Sequence, residues 1–200
     1  MLKGIIIYRT MKYLKLYEGF QSEEEVSKIC KEFGIKNWSI NSDGLVDVNG
    51  NVDLDDKGLT KIPLKFGYVS GYFLCSDNQL TSLEGSPERV GGNFDCDNNQ
   101  LTSLEGCPRS VGRNFNCFSN QLTSLEGPRY IEGKFYCSDN PMENVWKIIS
   151  PDGKWDNSIM DLFNDYDALR GNEIVLDRFN EFLEEIGRPT VKNVDGYNNI

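Results

Sequence analysis

Apolar side chains return along the middle of the chain at a fixed interval. Phe73, Phe94, Phe115 and Phe135 stand two residues before Cys75, Cys96, Cys117 and Cys137, and successive copies lie 21, 21 and 20 residues apart. Asn78, Asn99, Asn120 and Asn140 follow three residues after each cysteine. The segment Gln-Leu-Thr-Ser-Leu-Glu-Gly is identical at 79–85, 100–106 and 121–127. A period of that length marks one structural unit stacked on the next, so the pattern predicts a solenoid. Val52, Leu54, Leu59 and Ile62 repeat the phase in a degenerate first copy, and Met142 and Val145 fill the two leucine positions of a last one. The expected architecture is α+β, with about five 20–21-residue turns over residues 49–146.

Each turn carries its own local logic. Phe and Cys two apart share one side of a strand, because strand side chains alternate. The Asn that follows turns the chain and is placed to satisfy backbone groups of its own and the neighbouring turn. Two leucines three apart return over the core, and Gly with Pro makes the second corner at Gly85/Pro87, Gly106/Pro108 and Gly127/Pro128. The prediction is a parallel strand sheet with one strand per turn.

A solenoid exposes its core at both ends and needs covers. Residues 19–48 read as a helix and hairpin. Ser22 and Glu25 form a capping box, Val26, Ile29, Cys30 and Phe33 make an apolar face, and Gly34 ends the helix. Trp38–Ile40, a turn at Asn41–Gly44 and Leu45–Val48 follow as the hairpin. Residues 147–200 read as a helical C-terminal cap. Its apolar faces are Ile159, Leu162, Phe163, Tyr166 and then Ile174, Val175, Phe179, Phe182, Leu183, Ile186, with Gly187 and Pro189 as the stop. Such helices also offer a route to a homo-oligomer. Residues 1–18 form a separate tail, within which Met11 is an alternative start to Met1.

The formal charge is −10, and it is uneven. Residues 1–48 hold seven acidic and seven basic residues, 49–148 hold thirteen and nine, and 149–200 hold eleven and five. A nucleic-acid binder needs the opposite sign, so nucleic acid is not the expected partner. Four of the six cysteines occupy one core-facing repeat position and read as small buried hydrophobes. With no Cys-x-x-Cys and no histidine, no metal site is expected, and a Ser-His or Cys-His nucleophile cannot be assembled. No cofactor motif is present. Gly4-Ile5-Ile6-Ile7 is too short for a signal peptide and no stretch is long enough to span a membrane, so a cytoplasmic protein is expected. Carboxylates such as Asp77, Asp95 and Asp97 are expected to be surface charges, and an enzyme is not.

The outward repeat positions change from turn to turn. Between Phe and Cys stand Asp53, Leu74, Asp95, Asn116 and Tyr136. After Cys stand Asp55, Ser76, Asp97, Phe118 and Ser138, and before Phe stand Asn51, Tyr72, Asn93, Asn114 and Lys134. Tyr72, Leu74, Phe118 and Tyr136 are residue types that anchor interfaces, and they surround Asp95, Asp97, Asn114 and Asn116. These eight form the candidate partner-binding face. A second candidate, for a small anionic ligand such as a nucleotide signal, is the set Arg89, Arg109, Arg113 and Arg129 near the repeat corners.

The repeat resembles the leucine-rich repeat, L-x-x-L-x-L-x-x-N-x-L, over about half the chain, with Phe and Cys in the strand positions. It departs where Gly91 and Gly112 replace the first leucine. The fuller wording N-Q-L-T-S-L-E-G resembles short repeat proteins encoded by tailed bacteriophages. So do Met11–Glu18, Ile40–Gly44, Gly58–Lys61, Gly187–Pro189 and Val194–Tyr197. That resemblance implies a phage origin and a host-cytoplasmic setting, but no activity. The function it suggests is non-enzymatic binding of a host protein, with inhibition of host anti-phage defence as the role. Alternatives are a small-molecule sponge and a packaged structural head protein. The last expects cleavage after Glu18, because Leu16-Tyr17-Glu18 resembles a prohead-protease site; Leu183-Glu184-Glu185 matches equally.

Overall fold

The computed structural model describes residues 22–124, 126–170 and 173–200. The N-terminal tail, with both candidate starts and the Leu16-Tyr17-Glu18 site, lies outside the described residues.

The chain enters through helix α1 (Glu23–Glu32). The Glu25 N–H donates to Ser22 Oγ at 3.2 Å while Glu25 Oε2 accepts the Ser22 N–H at 2.9 Å, so the capping box forms in both directions. Gly34, at φ +67°, lets the Ile35 N–H fold back to the Cys30 carbonyl at 2.8 Å and stop the helix. Strands β1 (Trp38–Ile40) and β2 (Val46–Val48) then pair antiparallel, around a turn in which Asn41 Oδ1 accepts the N–H groups of Asp43 and Leu45.

From there the fold is mixed α and β with parallel sheets, solenoid-like in its stacking. One ladder runs β3 (Val52–Asp53), β5 (Phe73–Leu74), β7 (Phe94–Asp95), β9 (Phe115–Asn116) and β11 (Phe135–Tyr136), all parallel. Its register sets Val52 beside Phe73, then Phe94, Phe115 and Phe135, as the period requires. A second ladder departs from the single sheet expected. It runs from β2 through β4 (Phe66–Val69), β6 (Arg89–Val90), β8 (Ser110–Val111) and β10 (Tyr130–Ile131). Val69, Val90, Val111 and Ile131 form one buried column along it, and β2 and β4 add Val46, Val48 and Phe66. Because β2 belongs to this ladder, hairpin and repeats share one sheet.

The two ladders meet at a corner built on glycine. A Cβ on Gly91 or Gly112 would collide with the carbonyl oxygen of Ser70 or Gly91 in the rung before. These glycines therefore allow backbones to approach where the leucine-rich pattern would place a side chain. Beyond the second strand of each rung sits a residue in left-handed conformation: Asp56, Asp77, Asn98, Ser119 and Asp139, with φ between 51° and 55°. Asp and Asn tolerate this region, and Ser less so.

The inside is a set of parallel columns. Phe73, Phe94, Phe115 and Phe135 stack with ring centroids 5.7, 4.9 and 5.5 Å apart. Trp146 and Trp155 close the column on Phe135, at 5.0 and 4.9 Å. Cys75, Cys96 and Cys117 are buried free thiols, each directed at the carbonyl of the next rung at 3.3–3.4 Å. Burial drives these thiols well above their ordinary pKa.

The asparagine column is the fastening. Asn99 Nδ2 donates to the carbonyls of Cys96 and Asp97 in its own rung and of Cys75 in the rung before, at 3.0–3.2 Å. Its Oδ1 accepts the Leu80 N–H at 2.9 Å. Asn78, Asn120 and Asn140 repeat the arrangement with Leu54, Cys96 and Cys117 as the carbonyls of the earlier rung. Among the described residues the leucine side of the first four rungs has neither strand nor helix, and these bonds tie its backbone down.

At the far end, helix α2 (Glu143–Ile149) begins inside the last repeat and buries Val145, Trp146 and Ile149. Helices α3 (Asn157–Asp165) and α4 (Leu176–Glu185) pack Phe163, Phe179 and Phe182 against one another. The C-terminal part is not purely helical. Strands β12 (Leu169–Arg170), β13 (Glu173–Ile174) and β14 (Asn198–Asn199) form a small sheet, and Ile174, expected on the last helix, lies in it. The apolar faces read as possible oligomer contacts are turned into this local core. Among the described residues no helix is long and apolar enough to cross a membrane.

Asn99→Ala leaves the buried Leu80 N–H without its acceptor and removes one of the two hydrogen bonds at each of the Cys75, Cys96 and Asp97 carbonyls, so it is expected to lower stability by about 2–3 kcal/mol in urea unfolding. Ser119→Gly relieves a left-handed residue and is expected to raise stability by about 0.5–1 kcal/mol in the same measurement.

Candidate functional site

Among the described residues no element covers the outer face of the ladder β3-β5-β7-β9-β11, and all eight residues of the first candidate lie on it. Tyr72, Phe118 and Tyr136 are exposed, at 38%, 36% and 43%. Leu74 is half-buried between its strand neighbours rather than fully offered to solvent. The aromatics stand on different rungs, so strand spacing fixes their separation and the buried phenylalanine column fixes their backbone.

Two of the polar candidates have structural work. Asn114 Oδ1 accepts the Lys134 N–H at 3.0 Å, as Asn93 accepts from Asn114 and Asn51 from Tyr72 at 3.3 and 3.1 Å. This second amide column holds the glycine corner. Asn116 donates its side-chain amide to Asp95 Oδ1. Each asparagine is thus tied to the neighbouring rung through one end of its side-chain amide.

The aspartates also differ from expectation. Asp97 is not a surface charge: it is 7% exposed, and its Oδ1 accepts the Phe118 N–H at 3.2 Å. Burial, and then the Asp95 carboxylate beside it, push its pKa up to about 7. Burial likewise raises Asp95, against the opposing hydrogen bond from Asn116, and raises Asp55, whose Oδ1 accepts the Ser76 N–H at 2.6 Å. The signal was present in the sequence. Asp55, Ser76, Asp97 and Phe118 share one column, and a short acceptor beside a large apolar neighbour is shielded from water.

The four arginines belong to the other ladder. The Arg89 guanidinium lies 5.2 Å from the centroid of the Tyr68 ring on the adjacent strand. Arg109 and Arg129 stand at the starts of β8 and β10, where the Arg129 N–H donates to the Arg109 carbonyl at 2.9 Å. Arg113 sits at the glycine corner. All four are exposed. The concavities along the repeat loops and below the C-terminal unit are lined by residues such as Thr81, Glu84, Glu126 and Asp167, and by no arginine. Tyr68 and Tyr130, exposed at 38% and 54%, were missed because they belong to the unexpected ladder.

Among the described residues no group of three or more acidic, cysteine or histidine side chains is arranged to hold a metal ion. No protein-family model, curated protein or solved structure matches the chain.

Folded Asp97 keeps its proton up to about pH 7, whereas the unfolded chain loses it near the ordinary 3.8. The folded state therefore binds more protons across that window, and this group's contribution, complete below about pH 4, is lost as pH rises through 7. Asp97→Asn keeps the acceptor for Phe118 without the charge. Urea unfolding at pH 5 and pH 8 is expected to show a smaller loss of stability with pH in the variant, and a higher midpoint than the parent at pH 8, by on the order of 1 kcal/mol.

Proposed function

We propose that the chain is a non-enzymatic protein-binding module, a leucine-rich-repeat-like solenoid of about five turns that engages a partner through the outer face of the β3-β5-β7-β9-β11 ladder. The observation that carries this reading is the exposure of Tyr72, Phe118 and Tyr136 on three rungs of one rigid sheet. Aromatic side chains lose few rotamers on docking and bury large areas, which is why they dominate interface energetics. Their backbone is already ordered by the stacked core, so association requires little reorganisation. The resemblance of the repeat to phage-encoded proteins extends the proposal to a host protein as the partner, with interference in host defence as the role.

The test is affinity capture from bacterial lysate with three baits: the parent, a Tyr72→Ser/Phe118→Ser/Tyr136→Ser variant, and Tyr130→Ser on the other ladder. The expected result is a stoichiometric protein held by the parent and by Tyr130→Ser and lost from the triple variant, with all baits folded by circular dichroism. A protein held equally by all three, or none held by any, would overturn the reading.

A further inference from the structure

The same face has a charge pattern that specifies the partner's chemistry. Its strand segments 72–78, 93–99 and 114–120 contain no lysine or arginine. They and the first copy supply Asp53, Asp55, Asp77, Asp95 and Asp97, and among the described residues none of these five is in an ion pair. Elsewhere the protein does pair its acids, as in Arg178 with Asp167 at 3.0 Å and Lys147 with Glu143 at 2.5 Å. The ladder face is thus acidic and without ion pairs, and its negative charge is complete only once Asp97 has lost its proton above about pH 7.

Burial makes this more than a solvated acidic surface. Asp97 is over nine-tenths buried; one oxygen is fixed by the Phe118 amide and the other has no hydrogen-bond partner among the described residues. Asp95 is held by Asn116, and Asp55 by the Ser76 amide. The carboxylates are therefore oriented in advance, in surroundings that screen charge poorly, where an incoming cation gains most. The aromatic ring of Phe118 follows Asp97 in the same column, and Tyr136 follows Asn116 beside it. A ring next to a carboxylate suits a lysine or arginine, whose methylene stem packs on the ring while its head meets the oxygens.

We propose that the occupant of this face is a protein segment carrying lysine or arginine, with one cationic side chain seated over Asp95 and Asp97 against Phe118. The inference rests on the protein-binding reading of the ladder and adds the partner's charge to it. Neutral amides at these positions would have fulfilled every internal hydrogen bond, as Asn116 does, so the carboxylates are not required by the fold.

The probe is fluorescently labelled hexalysine, followed by anisotropy at 50 mM salt with the full chain. At about pH 8.5, above the range in which Asp97 holds its proton, Asp95→Asn/Asp97→Asn is compared with Glu181→Gln/Glu184→Gln on exposed positions of α4, which removes the same net charge. Both variants are first checked for a thermal midpoint no lower than the parent's. The expected result is at least a tenfold loss of affinity in the aspartate variant, less than twofold in the helix control, and loss also in Phe118→Ser. Equal losses in the two charge variants, or no loss in either, would overturn the proposal, because binding would then follow net charge alone. The lysate capture separates the two ideas. A partner lost from the aromatic triple variant but kept by Asp95→Asn/Asp97→Asn leaves the protein-binding reading standing and removes the cationic segment. Ladder-specific hexalysine binding with no captured protein overturns the partner in the bacterial lysate and keeps only the preference of the face for a basic peptide.

Discussion

The structure depends on a buried amide that cannot be replaced by anything apolar. Each rung must turn sharply after its second strand, and a sharp turn inside a stack strands carbonyls and N–H groups away from water. An unsatisfied buried backbone group costs about 1–3 kcal/mol, so several per rung would outweigh the gain from the leucines around them. In each rung after the first, one asparagine resolves this by donating to its own rung and the previous one and accepting from the leucine side. That bond set fixes where the amide stands after the cysteine and leaves the rest of the rung some latitude: Asn140, 20 residues after Asn120, makes the same bonds, and Phe135 stays in register with Phe115.

How much of this is legible in sequence follows from which features the period forces. The Phe-x-Cys pair, the Asn and the Leu-x-x-Leu run are constrained identically in every copy, so they appear as identity. The second ladder is hidden because three of its repeat strands contribute a single buried residue each, Val90, Val111 or Ile131. One apolar position flanked by glycine has no period-2 alternation to read. The left-handed column is likewise hidden by chemistry that varies, since Asp, Asn and Ser all stand there. At the C-terminal end, Ile174 precedes a true helix with compatible spacing, and only its pairing with Leu169 and Asn199 assigns it to a strand.

The candidate face was legible as a set of positions but not as a set of roles. Alternation places Asp95, Asn116 and Tyr136 outward, and the structure agrees. Alternation is silent on neighbours one rung away, which decide whether an outward side chain reaches solvent. Asp97 is covered because Phe118 follows it in the column, and Asn114 is occupied because Lys134 presents an N–H to it. The face therefore combines rings that are free with carboxylates that are oriented and shielded, on a backbone that the core holds rigid.

The locality of the asparagine bonds has an evolutionary consequence. Each Asn reaches only the rung before it, so neither end of the molecule is informed of how many rungs lie between. A duplication of one 21-residue unit would recreate every bond at the junction and lengthen the face by one strand spacing, about 4.8 Å. A deletion would shorten it without disturbing the lids. The identical wording at 79–85, 100–106 and 121–127 is what recent copying of such a unit leaves behind. A lineage carrying this gene can therefore adjust the reach of its binding surface by copy number, well before point substitution refines any single contact.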